Sequence, residues 1–155
     1  IAAIRSLGML KYNQSCPLLK NIILNSDYDS ERLAAIISLG VIGNKKYKKV
    51  LVKMLNHEEP NLRWDAAIGL AKMGDNSGID IIENLLDRNY YHSYPSMRDG
   101  TGINVDEADN SIYTAIAITQ ILIDSRFKNK LFYLSENDKN IKIREFAMKI
   151  LSEYY

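Results

Sequence analysis

Two stretches of the chain, Arg32-Leu33-Ala34-Ala35 and Arg63-Trp64-Asp65-Ala66, superpose at a spacing of 31 residues, and the residues after them superpose as well. Counted from Ala35 and Ala66, equivalent positions recur four, seven and eight residues on, as Leu39, Ile42, Gly43 and as Leu70, Met73, Gly74. Apolar residues at that spacing line one face of a helix, and glycine just past the face closes it. The same template fits Ala3, Leu7, Leu10, then Ala115, Thr119, Leu122, and finally Ala147, Leu151, Tyr154, so the anchors stand 32, 31, 49 and 32 residues apart. A second stripe follows 15, 16, 19 and 20 residues after each of the first three anchors: Leu18, Leu19, Ile22, Ile23; Val50, Leu51, Met54, Leu55; and Ile81, Ile82, Leu85, Leu86. The fourth copy has a looser face of Phe127, Leu131 and Leu134. Each copy reads as two helices that cannot bury their stripes alone and must stack on their neighbours. The expected fold is therefore all-α, a right-handed α-solenoid or superhelix of about four to five antiparallel helix pairs in a single domain over 1–155. The copies fall at about 1–26, 27–57, 58–87 and 107–135, with a partial one at 136–155.

Boundary residues agree with this division. Gly43 and Gly74 sit where a left-handed residue ends a helix. Pro17 and Pro60 suit first turns, where a missing N–H costs nothing, and Ser30, Asn61 and Asp138 lie where caps are expected. Ile1 falls inside a helix already in register, so the chain is expected to be a piece of a longer array.

Pro60-Asn61-Leu62-Arg63-Trp64-Asp65-Ala66-Ala67-Ile68-Gly69-Leu70-Ala71-Lys72-Met73-Gly74-Asp75, with its arginine, alanine pair, leucine and Gly-Asp ending, resembles a HEAT repeat of the short bacterial type also named after phycobilisome lyases. Asp138 to Ala147 looks like another such helix start, and the resemblance covers about residues 1–86 and 107–155. It implies a ladder in which an acid before the first helix meets an arginine inside it. The matching positions are Asp27 with Arg32, Glu58 or Glu59 with Arg63, and Asp138 with Arg144, while Ile112 replaces the arginine in the fourth copy and should break the ladder there.

The 49-residue spacing places an insertion at about 88–109, which holds Tyr90, Tyr91, His92, Tyr94, Pro95, Met97, Arg98, Asp99, Gly100 and Gly102. Insertions in a stacked array land on loops along one face, and tyrosine and arginine offer large contact area with a polar end. Tyr90, Tyr91, His92, Tyr94 and Arg98 are thus candidate partner-binding residues, with groove-plugging as the structural alternative. Lys45, Lys46, Lys48, Lys49 and Lys53 crowd the second helix of copy two, whereas Asp80, Glu83 and Asp87 mark that of copy three and Arg126, Lys128 and Lys130 that of copy four. Lys45, Lys46, Lys49 and Lys53 are the second candidate contact, although a nucleic-acid groove extends its basic stripe over several repeats with aromatics for stacking.

Catalytic signatures are sparse. His57-Glu58 is similar to the His-Glu pairs of deoxyhypusine hydroxylase, a HEAT-repeat di-iron enzyme, but occurs once, with His92 the remaining histidine. Trp64-Asp65 is similar to residues used by HEAT-like alkylpurine DNA glycosylases, with core packing the structural alternative. Cys16, the lone cysteine, rules out an internal disulfide; its helix start would lower a thiol pKa, but with no histidine near it in sequence a bland, semi-buried cysteine is the favoured reading. Twenty basic against nineteen acidic residues give a net charge of +1, so no global field selects a polyanion. No apolar run approaches the length of a membrane span. The expectation is a non-enzymatic, monomeric, cytoplasmic scaffold without cofactor or metal, taking a protein or peptide partner on its concave surface and the insertion. Nucleic-acid binding through the helix around 45–53 is the alternative, and bilin attachment rests on the family name.

Overall fold

The computed structural model describes residues 1–93 and 105–155, and every regular element among them is helical. The chain divides into two compact units, Ile1–Ile81 and Ile82–Tyr155. The first holds α1 (Ala2–Met9), α2 (Cys16–Asn25), α3 (Asp29–Ile42), α4 (Lys48–Met54) and α5 (Pro60–Lys72), and the start of α6 (Ile79–Leu85). Short 3-10 turns at Asn13–Ser15 and Lys45–Tyr47 lead into α2 and α4. The second unit holds the rest of α6, a 3-10 segment at Arg88–Ser93, α7 (Val105–Thr119), α8 (Ser125–Asn137) and α9 (Ile141–Tyr154). This is the architecture of the α-solenoid class that the repeat predicts.

In the first unit α1 packs on α3 and α3 on α5, so the first helices of successive copies form one layer. Each second helix lies against the first helix of the following copy, α2 on α3 and α4 on α5. The three residues between α2 and α3 make that pairing unavoidable. One core runs through the layer, with Leu19, Ile23, Ala35, Leu39, Leu51, Ala66 and Leu70 buried in it. Ala3, Leu10 and Leu18 of copy one are exposed, so that its stripes are covered only in part.

The layer depends on how closely its helices approach. A methyl group on Gly40 would lie 2.8 Å from the Cα of Gly69, and one on Gly8 would lie 2.7 Å from the Cα of Ser38. The Ser38 hydroxyl donates across the same seam to the carbonyl of Ile4 at 2.9 Å. In register, the residue five past one anchor faces the residue three past the next, and both places are kept small.

The expected caps each shift by two residues. Ser30 lies inside α3, whose N-cap is Tyr28 without a side-chain cap bond, while Asp29 and Glu31 complement the positive end of the helix. Glu59, not Asn61, caps α5, its carboxylate accepting from the N–H of Asn61 at 3.3 Å. Asn140 caps α9 through the N–H of Lys142 at 3.0 Å. Asp138 is displaced from that role because its carboxylate is held by Arg88 and by the N–H of Asn140.

In the second unit α7 and α8 both pack on α9, with Ile112, Ala115, Phe127, Leu131, Ile143 and Ala147 buried. The rings of Tyr113 and Phe146 stack at 4.4 Å between centroids.

Gly43 and Gly74 both take φ +73°, as their helix-closing positions require. The equivalent residue of copy one, eight past Ala3, is Lys11, and it adopts φ 49° despite its Cβ. A left-handed non-glycine residue costs about 1–2 kcal/mol, part of which glycine returns as unfolded-chain entropy. Lys11→Gly is therefore expected to stabilise the protein by roughly 0.5–1 kcal/mol, raising the melting temperature by about 1–4 °C. An unchanged or lower melting temperature would contradict this reading of the turn.

Candidate functional site

The second helices sort their residues by register. Sixteen residues past each anchor stand Leu19, Leu51, Ile82 and Leu131, all buried. The positions 14, 17, 18 and 21 past the anchor face solvent: Pro17, Lys20, Asn21 and Leu24 on α2, and Lys49, Val52, Lys53 and Asn56 on and after α4. Lys45 and Lys46 are exposed in the turn before α4. On α8 the same register presents Asn129, Phe132, Tyr133 and Glu136, with both rings open to solvent.

Of the five clustered lysines, Lys48 is drawn into the frame. Its ammonium meets Asp75 at 2.8 Å, and Asp75 also accepts from the N–H of Ser77 at 2.9 Å. The Lys48 bond, followed by those from Ser77, brings the Asp75 carboxyl down to about 2. Asn44, one copy earlier at the same register, is bonded by its amide to Asn13 at 3.1 Å, so these turns tie successive copies together.

The insertion begins and ends on one guanidinium. Arg88 reaches Asp109 at 2.6 Å and holds Asp138 through both nitrogens, at 2.9 and 2.8 Å. Asn140 completes the cluster, donating to Asp109 at 2.7 Å. Burial would raise the Asp109 carboxyl, but Asn140 and Arg88 outweigh it and hold the group below its ordinary value. Neither Arg88 nor Asp109 stood out in the sequence. Their placement at the two limits of the spacing anomaly was the available signal, and only folding brings such ends together. Tyr91 turns inward, buried, with its hydroxyl donating to the carbonyl of Leu85 at 2.8 Å, and burial pushes that hydroxyl well above its ordinary value. The ring of Tyr90 meets it edge-on at 5.9 Å. The side chain of His92, and Tyr94, Pro95, Met97, Arg98, Asp99, Gly100 and Gly102, lie outside the described residues.

Two of the arginines inside the first helices reach backbone carbonyls. Arg63 donates to the carbonyls of His57 and Glu58 at 2.7 and 2.9 Å, and Arg144 donates to the carbonyl of Asp138 at 2.6 Å. Both reach the residue six positions earlier, closing the turn that enters the helix. Arg32 pairs with Asp29 at 2.9 Å, one turn away on its own helix, where the sequence suggested Asp27. Asp27 is exposed.

Residues 21–92 match the family model of HEAT repeats. No curated protein matches the chain significantly. The matched HEAT segment begins within α2 and ends in the 3-10 segment after α6. Residues 105–155 repeat the helix-pair pattern beyond it, with buried Ile112 where a HEAT arginine is expected.

In the first unit, the features that suggested chemistry serve packing and turns. Trp64 is buried, and the Nδ1 of His57 accepts from the N–H of Glu59 at 3.1 Å. Cys16 is fully buried, and burial pushes its thiol up, against the lowering suggested by its place at a helix start. Among the described residues no group of three His, Cys, Asp or Glu side chains is disposed to hold a metal ion. Asp65 is the odd member, a half-buried carboxylate where copy two has the buried Ala34. Burial raises it to about 6, against the opposing pull of Lys72.

Two predictions follow from these placements. With its folded pKa near 6 and an ordinary value of 3.8, Asp65 binds a proton in the native state that the unfolded chain has released. Its contribution to stability is greatest below about pH 4 and is lost as pH rises through about 6. Asp65→Asn should flatten the melting temperature between those limits and stabilise the protein at pH 7.5 by roughly 1–3 kcal/mol. A mutant retaining the wild-type slope would exclude Asp65 as the source. Arg63→Ala should lower stability by about 1–3 kcal/mol, the scale of lost charged hydrogen bonds, while partner binding by folded molecules barely changes. A normal melt with abolished binding would instead make Arg63 a ligand contact.

Proposed function

We propose that this chain is a non-enzymatic interaction or scaffold module that takes a protein or peptide on the solvent-facing residues of its second helices, with the 88–109 insertion as a further contact. HEAT repeats generally mediate protein–protein contact or scaffolding and act without catalysis. The observation that carries the reading is the register itself. Side chains 16 past each anchor are consumed by the core, whereas those at 14, 17, 18 and 21 remain on the surface in consecutive copies. Tyr90, Tyr94, His92 and Arg98 join the contact in this reading, with Tyr91 as the buried support of the insertion. The short bacterial phycobilisome-lyase-like subtype, a monomeric state and a cytoplasmic setting belong to the same reading. No helix among the described residues is long and apolar enough to cross a membrane.

A photoreactive residue placed at Lys53, on the proposed surface, is expected to crosslink a protein partner, whereas one at Ile37, an exposed position of α3, should not. Crosslinks to nucleic acid in place of protein, or equal yields from both positions, would defeat the proposal. Equal recovery of partners by a variant lacking residues 94–104 would remove the insertion from the contact.

A further inference from the structure

The charges on this surface are unevenly answered. Between residues 45 and 53 there are five lysines and no acid, and Asp75, which approaches from the next turn, is taken by Lys48 and Ser77. Among the described residues the ammonium groups of Lys45, Lys46, Lys49 and Lys53 make no ion pair or hydrogen bond, and Lys20 on the adjoining α2 makes none either. Four cations on one short helix and its leading turn repel one another.

We infer that the partner presents an acidic segment of a protein to α4, with its carboxylates on Lys45, Lys49 and Lys53 and an apolar side chain on Val52. The inference rests on the proposed interaction surface and names the chemistry of its occupant. Lys49 and Lys53 are one helical turn apart, a rise of about 6 Å, and alternate side chains of an extended chain recur at about 6.6 Å, so two carboxylates of such a segment meet both lysines. Val52, exposed between them, offers a dry contact that pure charge pairing lacks. A single-stranded nucleic acid fits less well. The aromatic residue of this stretch, Tyr47, packs against the core and is withdrawn from base stacking, and the uninterrupted basic run is confined to one helix and its turn.

The test is fluorescence anisotropy on the whole chain with three short labelled probes: a peptide alternating glutamate with leucine, its lysine-for-glutamate counterpart, and a single-stranded DNA oligonucleotide. The acidic peptide is expected to bind best, more weakly as salt is raised, and about tenfold or more weakly to K49E/K53E. Lys149→Glu, a reversal on exposed α9, should leave binding within about twofold. If K49E/K53E lowers the melting temperature, K49Q/K53Q replaces it. No acidic-peptide binding at low salt, equal loss in K149E, or tighter binding of the oligonucleotide would each overturn the inference. Protein crosslinks from position 53 that persist when the peptide fails to bind remove the acidic partner alone. Their absence removes the broader reading as well.

Discussion

The narrow seam between first helices is the constraint on which the first unit rests. Helices normally pack 8–10 Å apart with side chains interleaved, but at Gly40 and Gly69 no side chain stands between the backbones. That approach brings Leu39, Leu51, Ala66 and Leu70 into one continuous core. The hydrophobic gain is spread along the layer, while the geometry permitting it is concentrated in Gly8, Ser38, Gly40 and Gly69. A layer built in this way has few side-chain knobs to fix its register. The register is set at the rims instead, by Asn13 on Asn44, Lys48 on Asp75 and Ser38 on the carbonyl of Ile4.

Helix class, copy spacing and most of the buried stripe were legible in the sequence because they depend on periodicity, which is local. Pro17, Pro60, Gly43 and Gly74 behave as their chemistry dictates. The misplaced caps have a common cause. Several polar residues crowd each turn, and which of them caps is decided by what else competes for its oxygens, as Arg88 does for Asp138. Lys11 was illegible for the opposite reason, since nothing in its own chemistry favours the left-handed turn that the copy imposes. The partner residues were legible only as types. Register identifies Lys49 and Lys53 as surface residues, but sequence alone could not tell that Lys48, their neighbour, would be spent on Asp75.

Arginine performs two separate tasks. Arg63 and Arg144 staple the turn that enters their own helix by bonding backbone carbonyls. Arg88 instead binds side chains from two later elements, Asp109 on α7 and Asp138 before α9. The fourth copy, with Ile112 at the HEAT arginine position, thus sits beside a guanidinium supplied from outside its own first helix.

This clamp separates the length of the insertion from the integrity of the copies around it. With Arg88 and Asp109 already joined, the segment between them closes a loop whose entropy grows only with the logarithm of its length, about 0.6 kcal/mol for each doubling. Natural variation can then lengthen or shorten the stretch between Ser93 and Val105 at small entropic cost, so long as the arginine and its two aspartates stay. The clamp makes this a position where new surface can be acquired with little disturbance to what is already folded.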